Sequence, residues 1–145
     1  PHSRGTCHIQ SNDPLQQAAM DPKYLSHEAD AQLFLDGIRV ARKVAQQPAF
    51  KNLIVRETRP GPEVNDDAAL LDYMKGTIQT SWHMVGTCKM GVDDAAVVDP
   101  QLRVRGVENL RVIDSSICPT IPSSNTNIPS IAIGEKGAEL VLAAV

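Results

Sequence analysis

One histidine stands in a sequence context that suits proton transfer. His83 lies in the otherwise apolar stretch 82–85, which leads directly into Gly86 and Thr87. An imidazole exchanges its proton near neutral pH, and apolar neighbours tune that exchange. Glycine has no Cβ and lets the backbone approach a ligand closely. His83 is therefore a candidate general base, and the alternative is a histidine with a structural role only. We interpret His2, His8 and His27 as surface residues.

A second candidate site lies where a short apolar run is followed by a helix start. The run 110–113 ends at Asp114, and a proline-rich polar connector then leads to Pro129. Proline suits the first turn of a helix, where its missing N–H costs nothing. Open α/β sheets bind ligands beyond the carboxyl ends of their strands, and helix N-termini offer free N–H groups. The pattern predicts a site for a polar or anionic cofactor edge, and the alternative is an ordinary strand-to-helix connection.

Composition excludes several classes of protein. The chain has 145 residues, with 14 Lys and Arg against 17 Asp and Glu, and a net charge of -3. Nucleic-acid binders usually carry a basic excess, so we expect no nucleic-acid partner. A hydrophobic content of 42% argues against disorder. No apolar run approaches the roughly 18 residues of a membrane helix, so we expect no membrane segment. Aromatic residues make up only 3%, which suggests a piece of a larger protein whose localisation signals lie upstream.

The cysteines and the motif search point away from metal and hydrolase chemistry. Cys7, Cys88 and Cys118 are widely spaced and odd in number, so we predict free thiols and no metal site, although one disulfide stays open. Lys89 next to Cys88 favours the thiolate, but a packed, unreactive thiol is the simpler interpretation. The chain has neither the G-x-S-x-G of a hydrolase elbow nor a phosphate-binding P-loop.

Periodicity predicts the elements that hold these residues. Alternating residues over 6–10 predict a strand, and Ser26 is the expected N-cap of a helix that Pro48 ends. Leu53–Val55 and the run 110–113 are strand candidates, Asn65 is the expected cap of a second helix, and Pro129 opens the last one. The first helix has a wide apolar stripe that we expect to be buried, made of Leu33, Phe34, Gly37, Ile38, Val40, Ala41, Val44 and Ala45.

Taken in order, the motifs resemble the C-terminal part of glucose-methanol-choline (GMC) flavoprotein oxidoreductases of the choline dehydrogenase and aryl-alcohol oxidase type. Residues 83–91 (HMVGTCKMG) resemble the catalytic-histidine segment of that family, usually HPxGTxxMG, with Met84 in place of the proline. The other matching segments cover nearly the whole chain: Pro1–Thr6, Ser11–Pro14, Asp21–Ser26, Val98–Pro100, Leu102–Val104, Gly106–Val107, Asn109–Ser116, Asn125–Pro129 and Ile133–Ala138.

The resemblance implies an α/β fold, with α+β structure in the substrate region. Residues 1–82 would form part of a substrate-binding domain, and 83–145 would form the C-terminal part of an FAD-binding domain with the catalytic segment. The family's N-terminal dinucleotide-binding βαβ unit, with its G-x-G-x-x-G fingerprint, has no counterpart in this sequence. We therefore expect a fragment that is inactive alone and needs that N-terminal segment of the same protein.

The resemblance also implies a role for each site residue. His83 would be the base that takes the substrate hydroxyl proton. Asn125 matches the second catalytic position, which is His in many members and Asn in the choline-oxidising type, and would hydrogen-bond the substrate oxygen. The residues implied to contact FAD, along its ribityl–pyrophosphate region and its pyrimidine edge, are Asp114, Ser115, Asn127, Ile128 and Pro129.

The implied reaction is the oxidation of an alcohol to an aldehyde or ketone, with hydride transfer to flavin N5. The partners would be a small alcohol and an electron acceptor, either dioxygen or a quinone. Two alternatives stay open: an FAD-containing hydroxynitrile lyase of the same fold, and a non-catalytic processed fragment. The residues also leave open which alcohol is oxidised, whether FAD is covalently held, the oligomeric state and the compartment.

Overall fold

A computed structural model describes residues 1–144, which fall into two compact units. The N-terminal unit is Pro1–Gln79, and the C-terminal unit begins at Thr80. The described elements are strands β1 (Thr6–His8) and β2 (Ala19–Asp21), helices α1 (Glu28–Ala45), α2 (Pro48–Lys51), α3 (Asp67–Thr77) and α4 (Asn127–Leu142), and a 3₁₀ turn, Ser115–Ile117. The assignment of a substrate role and an FAD role to two domains stays a prediction.

The N-terminal unit contains a hairpin and a helical core. β1 pairs antiparallel with β2, with Cys7 opposite Met20, which confirms the predicted strand near residue 7. The core joins Leu35 of α1 to Leu70 and Met74 of α3. Most of the predicted apolar stripe of α1 is not buried in this chain. The exposed fractions of four of its large residues lie between 48% and 69%: Leu33, Phe34, Val40 and Val44.

Three local predictions in this unit were wrong. His27 rather than Ser26 caps α1, with its Nδ1 accepting the N–H of Ala29. Asp66 rather than Asn65 caps α3, because the side-chain oxygen of Asn65 accepts a hydrogen bond from Arg42 instead. The apolar triplet 53–55 lies in a turn and an irregular segment and has no partner strand, so β propensity alone does not order it as a strand.

The start of α1 is tied to the first residues of the chain by a buried carboxylate. Asp30 accepts hydrogen bonds from the N–H of His2 at 2.9 Å, the N–H of Ser3 at 2.6 Å and the Ser3 hydroxyl at 2.5 Å. The hydrogen bond from the Ser3 hydroxyl, followed by those from the His2 and Ser3 backbone, holds the pKa of Asp30 well below its usual value. The imidazole rings of His2 and His27 stack beside this contact, with their centroids 4.8 Å apart.

Replacing Asp30 with asparagine should lower the thermal unfolding midpoint at neutral pH by about 4 °C or more. The amide has one acceptor oxygen for these donors and no charge. Because the pKa of Asp30 is lower in the folded state, its stabilisation is present above the unfolded value of 3.8 and is lost as the pH falls below it. The difference between the wild type and the variant should therefore narrow in unfolding scans below pH 3.8. Asp36→Asn, at an exposed position of the same helix, is the control, and an equal effect there would contradict this prediction.

The C-terminal unit has its own core, built on a loop-rich scaffold. Val98, Leu102 and Ile117 are buried together, and Ile133 and Leu140 of α4 pack against them. Other apolar residues of α4, including Ile131 and Val141, are exposed, so only part of its predicted buried side is confirmed. The helix start itself is confirmed, because Pro129 lies in the first turn of α4.

The predicted strand over 110–113 is replaced by isolated bridges. Arg103 pairs with Arg111, and the N–H of Val112 donates to the carbonyl of Leu102. The partner segment turns away at Gly106, which has a φ of +76°. A ladder needs a run of paired residues on both sides, and here the paired stretch is too short to continue. The run still ends at Asp114, which is where the site begins.

A glycine of α4 determines how closely the helix approaches this core. A Cβ added to buried Gly137 would overlap the Cγ2 methyl of Ile113 and lie 3.0 Å from its Cδ1. Gly137→Ala should therefore destabilise the protein by about 1–3 kcal/mol, as measured by denaturant unfolding. Gly134→Ala is the matched control, because nothing lies within 4 Å of the added methyl, and it should be neutral or stabilising by up to about 1 kcal/mol. Equal destabilisation by both variants would contradict this account.

Two further expectations concern cysteines and membranes. Cys7, Cys88 and Cys118 are free thiols, as predicted, and Cys88 and Cys118 are half-buried. The ammonium group of Lys89 is paired with Asp93 at 2.9 Å, and this hydrogen bond lowers the pKa of Asp93.

Among residues 1–144, no helix has the length and apolar character needed to span a bilayer.

Candidate active site

The imidazole of His83 is held at the start of the last helix. Its Nδ1 lies 2.8 Å from Oγ1 of Thr126, the N-cap residue of α4, and both residues are half-buried. This hydrogen bond spans 43 residues of sequence. It ties the candidate base to the residue that follows Asn125 along the chain, and within residues 1–144 the side chains of His83 and Asn125 make no direct hydrogen bond.

Apolar side chains flank the histidine on both sides. Trp82 is 80% exposed and Met84 is 60% exposed. Trp82 also has a φ of +61°, a left-handed conformation that is unfavourable for a bulky residue. Large exposed apolar groups and local backbone strain often occur together at functional sites. The segment that carries His83 therefore presents exposed apolar side chains and a strained backbone.

The segment that follows His83 is fixed against the 3₁₀ turn. The N–H of Cys88 donates to the Ser116 carbonyl at 3.0 Å, and the N–H of Met90 donates to the Ile117 carbonyl at 2.7 Å. Gly86 has a φ of +92°, and a Cβ there would lie 3.2 Å from the carbonyl oxygen of Cys118. The glycine predicted to permit a close approach therefore approaches the protein's own backbone in this structure.

Asp114 caps the 3₁₀ turn. Its Oδ1 accepts the N–H of Ser116 at 2.8 Å, and its side chain is otherwise exposed. Ser115 is the first residue of the turn and is half-buried, and the turn packs against α4. One carboxylate oxygen thus has a structural role, while Oδ2 is available to hydroxyl groups of a ligand.

The N-terminus of α4 has no side-chain cap. Thr126 makes no capping hydrogen bond, and no acidic residue lies in the first turn. Asn127 and Ile128 are exposed there, and Pro129 has no N–H to offer. The backbone N–H groups of Asn127 and Ile128 and the positive end of the helix dipole together suit a negatively charged or electron-rich ring edge.

The predicted site residues all lie in the C-terminal unit. Contacts link the segments that carry most of them. The His83 segment contacts the 3₁₀ turn through backbone hydrogen bonds, the turn packs against α4, and Thr126 connects the start of α4 back to His83. Thr126 was not among the site residues predicted from the sequence. A threonine immediately before a helix predicts an N-cap, and that ordinary interpretation hides its contact with a distant histidine.

A histidine held at the start of a helix is the central feature of the C-terminal unit, and comparisons with known proteins identify the family to which the chain belongs. The family model described as GMC oxidoreductase matches residues 1–134. The chain belongs to the GMC oxidoreductase family, and its α/β fold is that of the family's C-terminal domain. The resemblance found in the sequence is confirmed.

Two similar proteins have names that fit membership of this family. The chain is 45% identical over 139 residues to the oxygen-dependent choline dehydrogenase of Escherichia coli O45:K1, covering 96% of this chain and 25% of the relative. It is 40% identical over 142 residues to an alcohol dehydrogenase [acceptor] of Pseudomonas putida, covering 98% of this chain and 26% of the relative. The chain thus spans about a quarter of the length of these relatives.

A solved structure shares the same fold. A variant of formate oxidase from Aspergillus oryzae RIB40, studied for FAD modification, superposes with a TM-score of 0.91 at 29% identity. The match covers 97% of this chain and 25% of that structure. The family's FAD-dependent members therefore include close structural neighbours of this chain.

Proposed function

We propose that this chain supplies the proton acceptor and part of the flavin site of an enzyme that oxidises an alcohol to an aldehyde or ketone. One observation carries the proposal: the hydrogen bond between His83 and Thr126, 2.8 Å long, brings the candidate base to the helix start that also carries Asn125. The named relatives support the substrate class, since one is a choline dehydrogenase and another an alcohol dehydrogenase.

The residues present fit FAD. The uncapped start of α4, free of acidic side chains, offers the N–H groups of Asn127 and Ile128 to the pyrimidine edge, and Pro129 keeps the first turn rigid. A helix N-terminus stabilises negative charge by about 0.3–1 kcal/mol. Oδ2 of Asp114 and the hydroxyl of Ser115 suit the ribityl hydroxyls and the pyrophosphate region. When bound, FAD supplies a hydride acceptor at its N5. The remaining FAD contacts would come from another segment of the same protein.

The chain's own residues handle the proton and the substrate oxygen. The His83 imidazole accepts the proton of the substrate hydroxyl, and base assistance of this kind contributes about 10²–10⁴ in rate. The amide of Asn125 donates a hydrogen bond to the same oxygen, which stabilises the negative charge that develops there.

The test is an anaerobic titration of the flavin-loaded whole protein, in which this chain is joined to its N-terminal FAD-binding segment, with choline and benzyl alcohol as probes. We expect the visible absorption of oxidised flavin to bleach with at least one alcohol. Admission of dioxygen or of a soluble quinone then shows which acceptor restores the colour. Cleavage of a cyanohydrin with no bleaching by any alcohol would replace the proposal with lyase activity. Failure of the whole protein, with its N-terminal segment present, to bind flavin would replace the proposal with a non-catalytic role.

A further inference from the structure

The hydroxyl of Thr126 is not used in the way its position predicts. An N-cap threonine usually has extended backbone angles and bonds an N–H two or three residues into the helix. Thr126 instead has φ -72° and ψ -6° and makes no side-chain cap. Its carbonyl accepts the N–H of Ser130 at 2.9 Å and the Ser130 hydroxyl at 2.7 Å. The backbone of Thr126 is therefore fixed while its hydroxyl is directed to His83.

The ring of His83 has one hydrogen bond to a side chain within residues 1–144, and it is this one. A neutral imidazole carries a single N–H, and the partner of one ring nitrogen determines which nitrogen holds it. A threonine hydroxyl can donate or accept. If it accepts from Nδ1–H, the Nε2 lone pair is free to take a proton. If it donates to Nδ1, Nε2 carries the hydrogen and cannot act as a base.

We propose that Thr126 is the positioning residue of His83, accepting a hydrogen bond from Nδ1–H so that Nε2 is presented bare to the substrate hydroxyl. The inference rests on the proposed role of His83 as the base. In the step, the O–H bond of the substrate breaks and an Nε2–H bond forms. Nδ1–H keeps its bond to Thr126 throughout, so the same contact also holds the imidazolium in place.

The experiment compares Thr126→Val and Thr126→Ser in the flavin-loaded protein. Valine keeps the shape and removes the hydroxyl, so kcat should fall about 10- to 100-fold, with a smaller change in KM. Serine keeps the hydroxyl and should restore kcat to within about threefold of the wild type. Thr58→Val is the matched control, because Thr58 is exposed and belongs to the N-terminal unit, whereas the candidate site residues belong to the C-terminal unit. It should leave kcat unchanged.

A second readout does not depend on activity. In protein with ¹⁵N-labelled histidine, the ring nitrogen signals of His83, assigned by comparison with His83→Ala, should show the proton on Nδ1. The same pattern should appear in Thr126→Ser. In Thr126→Val, the signals should indicate a mixture of the two neutral tautomers. If Thr126→Val does not fold, the wild-type spectrum and the serine variant still decide.

Two results would overturn the proposal: a proton on Nε2 in the wild type, or a Thr126→Val variant that keeps kcat within about twofold. A proton on Nε2 would leave Nδ1 as the only nitrogen with a free lone pair, so the positioning role of Thr126 would fail. The role of His83 itself stands under either result if His83→Ala slows turnover by about 10²-fold or more. If His83→Ala turns over normally, the proposed function itself fails, and the role of Thr126 fails with it. The two failures are therefore distinguishable in one set of variants.

Discussion

Replacing His83 with alanine in the flavin-loaded protein should slow alcohol oxidation by about 10²–10⁴-fold while flavin remains bound. The imidazole is the titratable side chain held at the start of α4, where Thr126 bonds its Nδ1 at 2.8 Å. Under the proposed mechanism, this change removes the base that accepts the proton of the substrate hydroxyl as the carbon-bound hydrogen leaves. The measurement is the rate of anaerobic flavin bleaching after rapid mixing with the alcohol.

His8→Ala is the matched control for this variant. His8 is exposed at the end of β1 in the N-terminal unit, and its loss should leave the bleaching rate unchanged. Retention of the flavin spectrum separates lost chemistry from a lost cofactor. A His83→Ala rate within about threefold of the wild type would refute the assignment of His83 as the base.

Replacing Asn125 with alanine should lower kcat by about 10²–10³-fold, the usual effect of removing one donor to a developing oxyanion. The side chain is exposed on the connector next to Thr126, so its truncation removes little packing and should not unfold the protein. Because the amide acts mainly on charge that develops during the reaction, kcat should fall more than KM rises. Steady-state kinetics across alcohol concentrations measure both constants.

Asn125→His tests the same donor role with a different side chain. Imidazole also donates a hydrogen bond, so this variant should recover part of the activity that alanine loses. Asn52→Ala, at an exposed position of the N-terminal unit, is the matched control. Equal kcat values for Asn125→Ala and the wild type would remove Asn125 from the site.

Local sequence signals located several elements well. Pro129 identified the start of the last helix, because proline has a fixed φ and a definite place in a helix. The catalytic role of His83 stays a prediction. Strands were harder to predict. Leu53–Val55 and the run 110–113 both have strong β propensity, yet neither forms a strand, because a strand depends on a partner that local sequence does not specify.

Helix N-caps and the buried face of α1 were also difficult to predict from local sequence. Ser26 and Asn65 are good capping residues, but His27 and Asp66 make the caps, since each helix starts where its first turn finds an acceptor and Asn65 is bonded to Arg42. The apolar stripe of α1 is sequence-encoded, but only Leu35 and Ile38 of this helix join the core with α3. Burial depends on which face meets a neighbour.

The sequence by itself determined the family and the identity of the candidate residues, because ordered motifs such as residues 83–91 and 125–129 depend on residue type and spacing alone. The tertiary structure decided which of them meet. The contact between His83 and Thr126 joins residues 43 positions apart, and an unused capping hydroxyl makes it. Such a contact follows from the packing of α4 on the 3₁₀ turn and on the core around Val98, which no local pattern encodes.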